Sequence, residues 1–426
     1  MSDSYTVVTH GLWGGHLKNA LFAAVVGFLL CWGAFVLLFW NEGRAVQRAQ
    51  TLDRGARIVN PINANQIYSI YEGKLVYLSG KATTDETLID DMFGVTVSNV
   101  IKLRRVVEMY QWQERQQSET REKWGGDTET VTTYTYRKIW SKNLIESSEF
   151  KQPQGHLNPS FMPVEGNLFI AELVTIGKFT LSSSLVENLN NYQHLPINNE
   201  TLGTSQIQLS EKKIHLNYGS YYMGENPAHP KTGDLRIKFE VVLPATISVV
   251  ALQSNSYLTA YTTEAGGEIE LFEYGVVDVQ TLFKNAQWNN VINTWILRLA
   301  GFVMMFLGLL MIFGVLGILA AFIPFLGYIV GLISGFIAFI LALALSLITI
   351  ALAWLFYRPL LGIIFFFIAA ELLFLLKWVP RSQSTQNTNP EQPVFESQSV
   401  LKSQKPNLTS EAVVPQKVND LEAIKF

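Results

Sequence analysis

The ionisable side chains of this sequence suggest little chemistry. Glu371 is the one acid inside an apolar stretch, and an acid in hydrocarbon is by default a candidate proton carrier or ion ligand. It stands six residues before Lys377, about 9 Å of helix rise, which favours a structural role near the interface. Asp90 and Asp91 are adjacent carboxylates in an acidic, loop-like segment. A hydrolytic pair would need them to converge on one bond, which adjacency alone does not provide. The six histidines, His10, His16, His156, His194, His215 and His229, show no pairing at metal-ligand spacing. There is no glycine-rich phosphate loop, no His-Glu-x-x-His pair and no nucleophile elbow. Cys31 is the single cysteine, so neither a disulfide framework nor a thiolate metal site can form. No catalytic or metal-ligating residue is assigned, no cofactor is expected, and the chain reads as a non-enzyme.

Three other groups of residues have useful spacing. Arg44 and Arg48 lie four apart on one face of a polar helix and are placed to reach lipid phosphates or to act as an ordinary interfacial stop signal. Lys102, Arg104 and Arg105, close to Tyr110 and Trp112, form either a basic and aromatic surface near headgroups or a strand whose charges are solvated or paired with acids such as Glu108. Gly327, Gly331 and Gly335 recur every four residues, making a smooth helix ridge for close packing within the chain or between copies.

The elements that position these residues are set by hydropathy. From Leu299 to Tyr357 there is no Asp, Glu, Lys or Arg, a run long enough for two spans, since one needs about 20 apolar residues. Residues 20–40 form an earlier span whose apolar core is too long for a signal peptide and lacks a small-residue cleavage pattern. The expected organisation is an N-terminal segment (1–19), span one (20–40), a juxtamembrane helix (41–60) and an extramembrane domain (61–297) ending in a juxtamembrane helix. Spans two (299–325), three (328–356) and four (360–377) follow, with the break between two and three near Pro324–Gly327. A Gln-, Ser-, Asn- and Pro-rich tail (380–426) is too polar to bury a core and is expected to be disordered. The fold class is thus an integral membrane protein with four transmembrane helices and a large β-rich α+β domain. Net charge is −3, which argues against nucleic acid as a main partner.

Strands are expected at Lys74–Gly80, Val100–Trp112, Thr130–Trp140, Leu235–Leu243 and Ile247–Leu252, all rich in β-branched and aromatic residues. In the second, Val106, Glu108, Tyr110 and Trp112 share one face and Val107, Met109 and Gln111 the other, which suggests a strand inside a sheet. Gln116–Glu129 reads as an exposed connection, Ser183–Tyr192 as a short helix capped by Ser182 or Ser183, and Asp278 as the cap of a helix leading into span two.

Asn41-Glu42-Gly43-Arg44-Ala45, directly after span one, resembles a motif of the LUMA (transmembrane protein 43) family. So does Lys102-Leu103-Arg104-Arg105 with Val107-Glu108-Met109-Tyr110-Gln111-Trp112. Asn158-Pro159-Ser160, Ile176-Gly177-Lys178-Phe179, Glu225-Asn226-Pro227, Gly233-Asp234-Leu235-Arg236, Thr294-Trp295 and Trp354–Leu360 follow in order. The resemblance runs collinearly over about residues 20 to 379 and does not include the tail beyond Pro380. It implies a four-span protein of the endoplasmic reticulum and inner nuclear membrane with a lumenal domain. The implied role is a self-associating organiser of the nuclear envelope with lamina-type partners, and no catalytic residues are implied.

In a bacterial source the equivalent site would be the inner membrane with an extracytoplasmic domain. Positive charge near the span ends, at Arg44, Arg48, Arg54, Arg57, Lys284, Arg298 and Arg358 on the domain side, instead favours a cytoplasmic domain. The expected function is a membrane scaffold, with membrane lipids and a second copy of the chain as partners. The alternative is a lipid-handling protein or membrane enzyme acting at the headgroups.

Overall fold

The computed structural model describes residues 3–11, 13–122, 127–198, 214–264, 266–320 and 326–358. Span four, Glu371 and the polar tail lie outside the described residues.

Three long helices carry the apolar sequence. α1 (Trp13–Ile58) has 46 residues, roughly 69 Å of helix by its rise per residue. The apolar span and the polar segment after it are one continuous helix, because residues 41–58 contain no proline and are rich in Ala, Arg and Gln. A six-residue helix, α2 (Ser183–Asn188), is capped by the Ser182 hydroxyl, which accepts from the Leu185 N–H. α3 (Val279–Ala320) starts where the Asp278 carboxylate accepts the Gln280 and Thr281 N–H groups at 3.0 Å each, and runs unbroken through Arg298. α4 (Leu326–Tyr357) follows. Three helical stretches, Lys18–Ile58, Val279–Leu319 and Ile329–Tyr357, are long and apolar enough to cross a membrane. The expectation of four is met by three among the described residues.

Contacts order the helices antiparallel. Gly27 lies against Gly308, Leu38 against Gly301, and Asn41 bonds to Thr294, so α1 and α3 run in opposite directions. Phe339 packs edge-on to Phe302 and Phe306, and α4 returns until Tyr357 meets Gly43. Ala34, Met305, Leu309, Ala338 and Ala342 form the buried seam of the three.

The domain is mainly antiparallel β. One sheet runs in the order Asp3–Gly11, Thr128–Ser141, Lys102–Glu122, Leu235–Val242, Ser220–Met223, Ile214–Asn217. A second is built on Leu75–Thr83 paired with Ala245–Ser254. Lys102–Glu122 is interior, and Val106, Val107 and Met109 from both of its faces are buried. Its outer half corrects the expectation of a loop at Gln116–Glu129. Gln116–Glu122 continues the hairpin, stabilised by Ser118–Thr132 and Thr120–Thr130 hydroxyl pairs at 3.0 Å. The edge strand Asp3–Gly11 pairs with Thr128–Tyr136, a juxtaposition that hydropathy did not indicate.

A smaller apolar cluster, with Leu52 from α1, Leu282 and Phe283 from α3, and Leu75, Val250 and Ile269 from the domain, docks the sheet onto the helix extensions. The contact is close: a Cβ on Gly55 would lie 2.2 Å from Ile269 Cδ1.

Candidate functional site

The densest polar cluster sits where α1, α3 and α4 meet at the domain end of the apolar stretches. The Glu42 carboxylate is fully buried. It accepts from Arg298 Nε at 2.6 Å and Nη2 at 2.9 Å, and from the indole N–H of Trp354 at 2.7 Å. The Arg298 guanidinium also stacks on Trp295, 4.8 Å from its centroid. One residue on each of three helices is thus joined through one carboxylate. A charge-assisted bidentate pair with a third donor on the same carboxylate is the arrangement that makes a buried charge tolerable.

Beside it, Asn41 donates to the Thr294 carbonyl at 3.1 Å. Arg44 donates to Asn290, Asn41 and Thr294 at 3.1–3.2 Å, and Asn290 donates back to the Ala45 carbonyl at 2.9 Å. Gly43 leaves room for the Tyr357 ring, whose Cζ would lie 2.5 Å from an added Cβ. Every residue of the Asn41–Ala45 motif therefore serves this joint. Arg44, expected at lipid phosphates, spends two of its nitrogens on α1 and α3. Arg48 reaches the Glu268 carbonyl at 2.5 Å.

The Lys102–Trp112 motif behaves similarly, with most of its cations paired inside the domain. Lys102 is buried, and its ammonium donates to the Glu187 carbonyl at 2.8 Å and to Asn190 at 3.2 Å, at the end of α2. Burial lowers its pKa. Arg105 is buried against Asp90, at 2.7 and 2.6 Å from the two carboxylate oxygens. Asp90 is therefore a structural counter-ion and not half of an acid pair, while its neighbour Asp91 is exposed.

Arg104 pairs with Glu240 and stacks on Tyr192 at 3.7 Å; of the three it alone remains partly exposed. Glu108 pairs with Arg236. Burial would raise its pKa, but Arg236 and Lys238 outweigh that and hold it below the usual carboxylate range. Tyr110 and Trp112 are half-buried, Tyr110 against Trp140 and Trp112 edge-on to His156. The same His156 ring stacks on Tyr136 at 3.9 Å. Burial and the Glu114 hydrogen bond push the Tyr136 phenol up to about 12.

The motifs that are distant in sequence meet on this strand. Asn158 accepts from the Trp112 N–H at 2.7 Å and donates to its carbonyl at 2.9 Å. Tyr110 exchanges two backbone bonds of 2.8 Å with Gly233 and Asp234, and Asp234 in turn accepts from the Tyr222 hydroxyl at 2.6 Å.

The glycines at helical spacing are placed differently from those in closest contact. Gly331 has nothing within 4 Å of an added Cβ, and Gly335 meets only Leu310 Cδ2 at 3.8 Å. Gly327 lies in the first turn of α4. The tight approach is between Gly27 and Gly308, where an added Cβ on either would fall 2.5–2.6 Å from the other's carbonyl oxygen. Sequence reasoning missed this pair because it lies on two helices 281 positions apart. It named Thr294 only within a motif and Arg298 only as a boundary charge and passed over Asn290, although their spacing of four just before an apolar run marks one polar helix stripe.

The profile of the Transmembrane protein 43 family matches residues 109–359, more than half of the chain. This chain belongs to the transmembrane protein 43 family. It is 33% identical over 354 residues to Transmembrane protein 43 of Homo sapiens and of Rattus norvegicus, covering 80% of this chain and 86% of each relative. To the Transmembrane protein 43 homolog of Drosophila melanogaster it is 31% identical over 357 residues, covering 80% of this chain and 90% of the relative. No solved structure matches. With three candidate spans, this member of the family is an integral membrane protein.

Proposed function

We propose that the chain is a non-catalytic membrane scaffold that self-associates in the bilayer and offers its β domain to partner proteins. The observation that supports this most is the use made of the buried charges. Glu42, Arg298, Asp90 and Arg105 are committed to internal pairs that fasten spans to one another and strands to the sheet. A carboxylate saturated by a guanidinium and an indole is a poor general base, whereas a joint of that kind makes domain and spans move as one body. The exposed position Gly331, with Gly335 about one turn further along α4, is the surface by which copies would meet. In a eukaryotic source the place of action would be the endoplasmic reticulum and inner nuclear membrane, with lamina-type proteins as partners.

Chemical crosslinking and light scattering of the purified full chain in mild detergent test the reading. Gly331→Leu is expected to reduce the oligomer to monomer while leaving the melting temperature within about 2 °C, because an added Cβ there meets nothing within 4 Å. An oligomer of unchanged size in that variant would remove the ridge from the mechanism. A wild-type chain that is monomeric at all concentrations would remove self-association altogether.

A further inference from the structure

A cavity of about 340 Å³ opens between the polar half of α1, the start of α3 and the Gly266–Gly267 turn. Its lining is unusual in charge. Arg44 and Arg48 both face it, and among the described residues neither guanidinium is in an ion pair. Asn289 and Asn293 line it from α3, and the one acid of the lining, Glu268, contributes its carbonyl oxygen to Arg48. Two buried polar atoms there are unsatisfied, Arg44 Nε and the hydroxyl of Thr51, a residue with no exposed surface. A threonine inside a helix ordinarily returns its hydroxyl to the carbonyl four residues back, as Thr294 does to Asn290. Thr51 does not, and its hydroxyl lies against Gly267, where an added Cβ would come within 2.3 Å. Unpaired cations together with orphaned donors cost free energy unless water or an anion satisfies them, and two neighbouring guanidinium groups favour the anion.

Depth gives the source of that anion. Trp40 and Trp295 are 55% and 62% exposed at the ends of the apolar stretches, the position of an interfacial aromatic belt. Arg44 is four residues beyond Trp40, about 6 Å further along the helix and at headgroup level, while Arg48 and Thr51 lie about 12 and about 16 Å beyond Trp40, so the cavity opens at the headgroups and runs outward from them.

We propose that this cavity is an oxyanion site taking the phosphate of a membrane lipid headgroup, held by Arg44 Nε, Arg48 and the Thr51 hydroxyl, with the amides of Asn289 and Asn293 beside it. This goes beyond the scaffold reading and does not depend on it. Bidentate guanidinium contact and a hydroxyl donor suit a phosphate monoester such as phosphatidic acid, and a free phosphate presents the same chemistry.

The test uses the full chain in uncharged detergent, with binding followed by thermal shift and by native mass spectrometry. Dioctanoyl phosphatidic acid is expected to raise the melting temperature saturably. Dioctanoylglycerol, with the same chains and no phosphate, is expected to do nothing. Inorganic phosphate distinguishes the sources: a much weaker effect assigns the site to lipid, and an equal effect assigns it to the free anion. Arg48→Gln should weaken binding by about tenfold or more and Thr51→Val by about threefold, while both variants keep the wild-type melting temperature without ligand. Arg358→Gln, at the same membrane level but outside the cavity, should bind normally. Absence of any shift, unchanged affinity in both Arg48→Gln and Thr51→Val, or an equal loss in Arg358→Gln would overturn the site.

Discussion

Glu42 and Arg298 lie 256 residues apart and form a bidentate pair at 2.6 and 2.9 Å, with the carboxylate fully buried. The pair sits where three helices leave the apolar zone, and the indole of Trp354 closes it from the third. It fixes the register of α1 against α3 at the point from which the β domain is carried.

Removing one partner should be more damaging than removing both. Glu42→Ala leaves Arg298 buried without a counter-charge and is expected to cost about 3–5 kcal/mol, whereas Glu42→Met with Arg298→Met should recover much of that loss. Thermal unfolding of single and double variants in detergent gives the coupling directly. Additive losses would mean the pair contributes no interaction of its own.

Asp90 and Asp91 are neighbours with opposite fates. Asp90→Ala strands the buried Arg105 and should destabilise by about 3–5 kcal/mol. Asp91 is exposed, and Asp91→Ala should stay within about 0.5 kcal/mol. Equal effects in denaturant titrations would contradict the assignment of Asp90, and not Asp91, as the counter-ion of Arg105.

At the glycine contact, Gly27→Ala must push α1 away from the Gly308 carbonyl, and a loss of about 1–3 kcal/mol is expected from overpacking. Gly314→Ala, on the same α3 but with nothing within 4 Å, is the control and should be neutral or slightly stabilising. Melting temperatures of the two variants side by side check this.

Glu108 predicts an acid limb of stability. Its folded pKa lies below its unfolded value near 4.3, so it contributes stability that is fully present above that pH and is lost as pH falls through the folded pKa. Glu108→Gln should therefore melt below wild type at pH 7, and the gap should close as pH drops towards 3. A gap that is constant from pH 7 to pH 3 would show that the Arg236 pairing adds nothing through charge.

The edge strand Asp3–Gly11 precedes α1, and its partner Thr128–Tyr136 follows it. A helix that crosses a bilayer puts these two segments on opposite faces. The hairpin arm carries Glu114, Arg115, Glu119 and Arg121, charges that hydrocarbon does not admit. In a membrane, Ser4→Cys and Ser118→Cys, each in a Cys31→Ser background, are accordingly expected to react with an impermeant maleimide from opposite sides of sealed vesicles. Labelling from one side would mean that the strand pairing persists and α1 does not cross.

Much of the architecture was legible in order along the chain. An uncharged run of this length has no stable home in water, so Leu299–Tyr357 and Ala20–Trp40 demanded helices at bilayer scale. Richness in β-branched and aromatic residues marked Leu235–Leu243 and Ile247–Leu252 as strands, and the structure has strands at Leu235–Val242 and Ala245–Ser254, because β propensity is written locally. The motifs at Asn41–Ala45 and Lys102–Trp112 were recognisable as well, since resemblance needs only order. What they do was not legible. Whether Lys102 faces water or the end of α2, and whether Arg44 meets a lipid or Asn290, depends on groups 85 to 250 residues away. Charge, polarity and glycine content are written locally, but the partner that neutralises a charge or fills the space beside a glycine is chosen only when distant segments pack. Tertiary structure therefore decided that Glu42 and Asp90 are joints, that Gly27 and not Gly331 is the tight contact, and that Thr51 is left with a hydroxyl to offer.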